Sequence, residues 1–454
     1  MIFDDTIVAL VTPFGKSAVG IVRVSGKFSA LIAKKILKII PKPKIASYLP
    51  FFDLSGNIID KGLAIWFPKP YSFTGEDVLE LQAHGSPILL NLLINIIISI
   101  KGVRIAKKGE FTKRAFINNK INLLQAEAID DLINAQSEMS LKLALKSLNG
   151  NFSYYINKII KKIIIFRADI EARIDFLHDE DNYFNYKNIE NIINKFIISL
   201  KKIINFSKNS QLIRNGIKLV ISGPPNSGKS SLFNILLKQN RSIVTNIKGT
   251  TRDILNENVN INNILFQLID TAGIHFTKNF VEKIGIQRTL LEIKNADFVF
   301  FVVDSIKNYF KQLNIIKKFL PFLLNKKNFL VLCNKCDLLS LDLINIMQKK
   351  YKKNIFISTL TGFGLKKIYK FLFKKSNFFT FNENNFLFRN RHIFCLQHAI
   401  KNFKKMKKNW LSHKNIELLA EDVHIVEKVL NEMNGSNISK KMISYIFSNF
   451  CIGK

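Results

Sequence analysis

One eight-residue stretch restricts the fold of this chain more than any other. Gly223-Pro-Pro-Asn-Ser-Gly-Lys-Ser230 has the GxxxxGK(S/T) pattern of a phosphate loop. An apolar run, Leu219–Ser222, precedes it, and helix-forming residues, Ser231–Leu237, follow. Phosphates need inward-turned backbone N–H groups, which glycine permits, and the positive end of a helix. In such a loop Lys229 reaches the outer phosphates and the Ser230 hydroxyl can ligate Mg²⁺, while Asn226, Ser227, Gly228 and Ser231 line the same turn.

The texture around the loop agrees. Short apolar runs (Leu219–Ser222, Leu265–Ile269, Phe298–Val303, Phe329–Leu332, Ile355–Ile357) alternate with amphipathic helices, the pattern of a mostly parallel, doubly wound sheet. Three further segments stand in the order of a Ras-like domain. Thr250 and Thr251, in Gly249-Thr-Thr-Arg-Asp253, form a candidate switch that senses Mg²⁺ and the γ-phosphate. Asp270-Thr-Ala-Gly273 (Thr271 and Ala272 within it) ends an apolar strand beside the same phosphate. Asn334-Lys335-Cys336-Asp337 fits the base-reading NKxD pattern. A carboxylate there accepts from the paired N–H donors of guanine, which adenine lacks, so the expected nucleotide is GTP. Ser358 begins a weaker fifth segment, with Thr359 where Ala is usual.

Where Ras has a water-orienting glutamine, this chain has Ile274, so help with hydrolysis must come from elsewhere. The Asn226 side-chain carbonyl could hold a monovalent cation, K⁺, against the phosphates. Glu282 follows the second switch at a reach suited to orienting water, although spacing alone makes it an ordinary solvated helix carboxylate. Cys333 and Cys336 form a CxxC, but no second ligand pair stands at suitable spacing, which argues against zinc.

The chain has 454 residues, enough for about three domains. Residues 1–120 read as α+β, with strands at Thr6–Val11, Val19–Val24, Gly62–Phe67 and Val78–Leu81 and a helix from Pro87 to Ile100. Long helices are expected over 121–213, where Leu123, Ala126, Ile129, Leu132 and Ile133 share one face at helical spacing. The α/β domain spans 214–377, and 378–454 return to helical texture, so a helical domain in two halves is interrupted by the inserted domain. The net charge of +34 and a pI near 9.9 favour polyanions such as RNA, although the richness in Ile, Asn, Lys and Phe also fits A/T-rich coding DNA. Four cysteines suit a reducing compartment. The apolar stretch Ile88–Ile100 is shorter than the ~20 residues of a membrane span, and Met1–Phe14 lacks secretory features, so a cytoplasmic protein is expected.

Nearly end to end, the chain resembles the MnmE (TrmE) family. The resemblance rests on Asp5-Thr-Ile-Val8, Gly20-Ile-Val-Arg-Val-Ser-Gly26, Phe73-Thr-Gly-Glu-Asp-Val-Leu-Glu80 and His84-Gly85. It continues through Gly109-Glu-Phe-Thr112, Arg114-Ala-Phe116, Asn122-Leu-Leu-Gln-Ala-Glu-Ala128, the GTPase segments and Cys451-Ile-Gly-Lys454. It implies a K⁺-activated, Mg²⁺-dependent GTPase of the wobble-uridine pathway of tRNA, forming a homodimer through an N-terminal folate-binding domain. Its partner is the flavoprotein MnmG, which alone carries FAD, in a heterotetramer. A formyl- or methylene-tetrahydrofolate-type carrier supplies the carbon of an aminomethyl or carboxymethylaminomethyl group at C5.

Residue by residue, the resemblance assigns K⁺ to Asn226, Thr245, Ile247 and Thr250, within the nucleotide-binding run Thr245, Asn246, Ile247, Lys248 and Gly249. Mg²⁺ falls to Ser230 and Thr251, and Glu282 becomes catalytic beside Lys229. Folate falls to Arg23, Glu80, Lys120 and Lys454, with Cys451 a candidate catalytic thiol nearby. A folate glutamate tail suits Arg or Lys and a pterin suits a carboxylate, but which residue meets which end stays open. The chain departs from the family at Pro224, Leu177 and His275. The competing reading is a GTP-switched RNA-binding or ribosome-assembly factor, which would lack the folate-domain segments and the terminal tetrapeptide.

Overall fold

The structure, a computed structural model, describes residues 4–175, 186–240, 256–271, 280–307, 311, 312, 314, 318, 321, 328–352, 354–376, 386–436, 438–451 and 453. It divides into two compact units. One joins residues 1–130, 147–197 and 394–454, and the other joins 131–146 and 198–393.

In the first unit a six-stranded sheet is built from β1 (Thr6–Leu10), β2 (Ser17–Ser25), β3 (Ser47–Phe52), β4 (Ile58–Phe67), β5 (Val78–Gly85) and β6 (Val103–Ile105), in the order β3-β4-β5-β2-β1-β6. Only the β1–β6 pair is parallel. Alternate residues Val22, Val24, Leu79 and Leu81 point into one core with Ile32 and Ile36 of helix Ser29–Leu37 and Leu90 and Leu93 of helix Pro87–Ile98. Gly20 leaves room for Leu90, since a Cβ there would lie 2.4 Å from the Leu90 side chain and oblige it to shift.

The strands expected at four places are present. The expectation missed β3 and β6 and the helices Ser29–Leu37 and Glu110–Ile117. β3 contains Pro50 and lies at the sheet edge, where a missing N–H costs no ladder bond; the sequence pattern alone reads Pro as a breaker. In the same unit helix Asn151–Asp175 lies alongside helix Ile416–Asn434, joined by an Arg167–Glu427 ion pair and a hydrogen bond that Asn434 Nδ2 donates to Asn157 Oδ1 at 2.6 Å.

The second unit holds the doubly wound sheet: β7 (Ile217–Ser222), β8 (Asn256–Ile261), β9 (Ile264–Asp270), β10 (Phe298–Asp304), β11 (Phe329–Asn334) and β12 (Ile355–Phe356), in the order β12-β11-β10-β7-β9-β8. All neighbours are parallel except the β8–β9 hairpin. β8 was not expected, since in Asn256–Ile261 only Val259 and Ile261 are buried among polar residues. The helical residues 131–146 pack into this unit through Leu143 and Ala144.

The apolar face read over 123–133 needs correction. Leu123 and Ala126 are buried, but Ile133 is 41 % exposed. Asp131 is buried instead, accepting from Arg214 Nε at 2.9 Å and an Arg389 guanidinium N–H at 2.7 Å. Two arginines distant in sequence make this carboxylate an interior residue, which no local periodicity could reveal.

Candidate functional site

The phosphate loop leaves β7 at Gly223 and ends at the start of helix Lys229–Asn240. Its path requires glycine at Gly228, where φ is +93° and a Cβ would lie 2.1 Å from Asn334 Nδ2. Asn226 adopts φ +62°, which asparagine tolerates, and its exposed side chain makes no hydrogen bond among the described residues. The Pro224 carbonyl accepts from Ser227 Oγ at 2.9 Å and from Lys229 Nζ at 2.9 Å. At position 224 these contacts use only the backbone carbonyl, so they do not depend on the side chain there.

Ser230 Oγ donates to Asp270 Oδ2 at 2.8 Å, bringing the loop hydroxyl to the carboxylate at the end of β9. The second oxygen, Asp270 Oδ1, is buried with no hydrogen-bond partner among the described residues. Burial pushes the Asp270 carboxyl up, only partly opposed by Ser230 and Lys229. Burial likewise pulls the Lys229 ammonium down, against the attraction of Asp270. A serine oxygen next to a desolvated, half-satisfied carboxylate is a donor set that suits a hard divalent cation. Thr271 is spent structurally, its hydroxyl donating to Ile221 O at 3.0 Å.

The base-reading segment is cross-braced to the loop. Asn334 Nδ2 donates to Ser227 O at 2.9 Å, and Asn334 Oδ1 accepts from Thr359 N at 3.1 Å. Asn334 therefore ties three segments together, and Asp337, on the short turn Cys336–Leu338, is left exposed. Lys335 pairs with Asp304 Oδ2 at 2.8 Å, a partner that sequence spacing did not suggest. Ser358 is buried and its hydroxyl accepts from Thr361 N at 3.1 Å, shaping the fifth segment. Burial pushes the Cys333 thiol up to about 12 and raises Cys336 as well, which favours the protonated form of both. Thr245, Asn246, Ile247, Lys248, Gly249, Thr250, Thr251, Ala272 and Gly273 lie outside the described residues, as do Leu177, Ile274, His275 and Lys454, and the side chain of Glu282.

In the first unit, sheet register sets Arg23 of β2 opposite Glu80 of β5, and Arg23 Nε donates to Glu80 Oε1 at 2.7 Å. The guanidinium also lies 5.7 Å from the Phe111 ring centroid. Lys120 is nearer the Lys69–Tyr71 turn, its Nζ donating to Pro70 O at 2.9 Å. The C-terminal segment docks on the same domain: Gly109 N donates to Cys451 O at 3.2 Å, and a Cβ on Gly453 would lie 2.6 Å from Leu10 O. Leu10 is next to Ala9, the β1 residue paired with Arg23, so the tail runs along the edge of the Arg23 region. Cys451 itself is exposed.

Several signature residues prove to be structural. Arg114 is fully buried, donating to Asp5 O at 3.0 Å, Asp5 Oδ1 at 2.8 Å, both Glu76 oxygens at 3.1 Å and Glu110 Oε1 at 3.2 Å. Arg104 closes the cluster with Nε to Asp5 at 2.7 Å and two bonds to Glu110 at 2.8 and 2.5 Å. Burial alone would raise the Glu110 carboxyl, but Arg104, Lys107 N and Arg114 bring it down to about 2. This network holds the Gly109 turn that receives the Cys451 carbonyl. The Glu110–Arg114 spacing of four was its one local signal.

A model of the MnmE helical domain matches residues 123–451, and one of the GTP-binding protein TrmE N-terminus matches residues 6–120. The tRNA modification GTPase MnmE of Buchnera aphidicola subsp. Baizongia pistaciae is 47 % identical over 100 % of both chains. That of Buchnera aphidicola subsp. Schizaphis graminum is 46 % identical, again over 100 % of both. Among solved structures, Aquifex aeolicus Era bound to GDP and AlF4⁻ is 26 % identical, with 41 % of this chain and 66 % of that chain covered and a TM-score of 0.30.

Proposed function

This chain belongs to the MnmE family of tRNA modification GTPases, and from that premise we propose that it is a K⁺-dependent GTPase working with MnmG on the wobble uridine of tRNA. The group added at C5 is aminomethyl or carboxymethylaminomethyl, its carbon drawn from a tetrahydrofolate-type carrier. The domain limits proposed are 1–120, 121–213, 214–377 and 378–454. The active species is a cytoplasmic homodimer that joins MnmG in a heterotetramer.

The observation that carries the GTPase reading is the joined frame of Ser230, Asp270 and Asn334, in which the hydrogen bonds to the loop span 40 positions from Asp270 and 107 from Asn334. Mg²⁺ would neutralise charge on the β- and γ-phosphates, held by Ser230 with Thr251, and with Asp270 at its margin. Lys229, freed from the Pro224 carbonyl, pairs with the outer phosphates, and their charge opposes the desolvation that now depresses its pKa. Asp337 accepts from the guanine N–H pair. K⁺ suits the uncommitted carbonyl of Asn226, assisted by Thr245, Ile247 and Thr250, and Glu282 orients the attacking water.

For the folate carrier, a guanidinium, a carboxylate and an ammonium (Arg23, Glu80, Lys120) together suit a ligand that bears both carboxylates and N–H donors. Lys454 and the exposed Cys451 complete that set.

Two measurements test this. GTP hydrolysis in KCl is expected to exceed that in matched NaCl by at least tenfold, with the stimulation lost in Glu282→Ala; equal slow rates in both salts refute the cation mechanism. In a cell lacking the protein, nucleoside mass spectrometry should show the C5-modified wobble uridine gone, and its persistence refutes the tRNA assignment.

A further inference from the structure

Helix Asn390–His413 contains no aspartate or glutamate in 24 residues. Its inner side is buried through Phe403, Met406 and Trp410. On the opposite side Lys401, Lys404, Lys405 and Lys408 are all exposed, at the i, i+3, i+4, i+7 spacing that aligns them on one face over about 10 Å. None of the four has a carboxylate partner among the described residues. Like charges at this spacing repel, so the row is unfavourable to the helix by itself and calls for external negative charge.

The same face continues one turn back into an aromatic step. Phe394 is 67 % exposed and stacks on His398, with ring centroids 6.0 Å apart and an interplanar angle of 26°. A large apolar ring left in solvent beside a lysine row is the pairing used to hold single-stranded nucleic acid, with cations on the phosphates and a ring for a base.

We propose that this outer face is an RNA-docking surface, in which Lys401, Lys404, Lys405 and Lys408 contact consecutive backbone phosphates and the Phe394–His398 stack receives an unpaired base. The inference rests on the tRNA reading above and specifies which surface of this chain meets the RNA. An acidic protein segment would satisfy the lysines but leave the aromatic step unused.

The test is fluorescence anisotropy of the full-length protein with an unmodified tRNA carrying uridine at the wobble position, from 50 to 300 mM KCl. Changing all four lysines to glutamine should weaken binding about 100-fold at 100 mM salt and cut the slope of log affinity against log salt by about 3. Replacement by arginine should restore both. Phe394→Ala should weaken binding about tenfold with the slope unchanged, the signature of a lost stacking contact.

Wild-type affinity and slope in the glutamine variant, with wild-type protein binding tRNA, would overturn the surface and leave the function standing. No tRNA binding by the wild-type protein, with an unchanged modified nucleoside in the deletion strain, would sink both. Equal losses toward polyglutamate and tRNA, with Phe394→Ala silent, would reassign the face to an acidic protein and overturn the proposal.

Discussion

Asp270 carries the sharpest asymmetry at the residue scale. One of its oxygens accepts from Ser230 and the other is buried with no partner among the described residues. Losing the charge there should uncouple Mg²⁺ from the loop. Asp270→Asn is expected to reduce kcat/KM for GTP by ~10² to 10³, corresponding to about 3–4 kcal/mol of transition-state stabilisation. Steady-state hydrolysis over a Mg²⁺ titration checks this; unaltered Mg²⁺ dependence would remove Asp270 from the site. Asp337, by contrast, is exposed and makes no hydrogen bond or ion pair among the described residues, so Asp337→Asn should lower GTP affinity at least tenfold while leaving Tm unchanged. Nucleotide titration with differential scanning fluorimetry separates the two effects.

Elements explain why some residues were legible and others were not. The strand–loop–helix run is continuous in sequence, so Lys229 and Ser230 could be read directly. The Arg23–Glu80 pair spans 57 positions and exists only because β2 and β5 pair in that register. Gly228 shows how tightly adjacent elements close on the loop. Gly228→Ala must move Asn334 or the loop itself, since the new Cβ would lie 2.1 Å from its amide nitrogen at a φ of +93°. The expected cost is about 1–3 kcal/mol, with GTP affinity falling more than tenfold. Chemical denaturation and nucleotide titration measure both, and unchanged values would mean that the Asn334 brace is dispensable.

Acid sensitivity belongs to the scale of the whole molecule, because the cluster that sets it joins Asp5 and Glu76 to the 104–114 segment. Glu110 has an ordinary carboxyl pKa near 4.5, and in the fold the value is about 2. A depressed folded value means that the unfolded chain takes up the proton first. The stabilisation is therefore complete above about pH 4.5 and is lost as pH falls from there to about 2. Asp5, lowered by Arg114 and Arg104 against its own burial, adds in the same sense. Glu110→Gln should remove up to about 3 kcal/mol at pH 7 and flatten the loss of stability between pH 4.5 and 2. Urea unfolding of the two proteins across that range decides; parallel curves would exclude Glu110 as the titrating group.

By itself the sequence determined the fold class, the order of the nucleotide segments and the family. Each depends on residues close along the chain: glycines that permit the loop, apolar runs that make strands, and motifs read in succession. Only the tertiary structure decided which charged residues are buried supports and which stay available for ligands. Asp131 and Arg114 look like surface residues in the sequence, yet each is buried among opposite charges supplied by distant segments. The physical reason is desolvation. A charge leaves water only where the fold brings counter-charges and hydrogen bonds within reach, and that coincidence is a property of packing rather than of any local pattern.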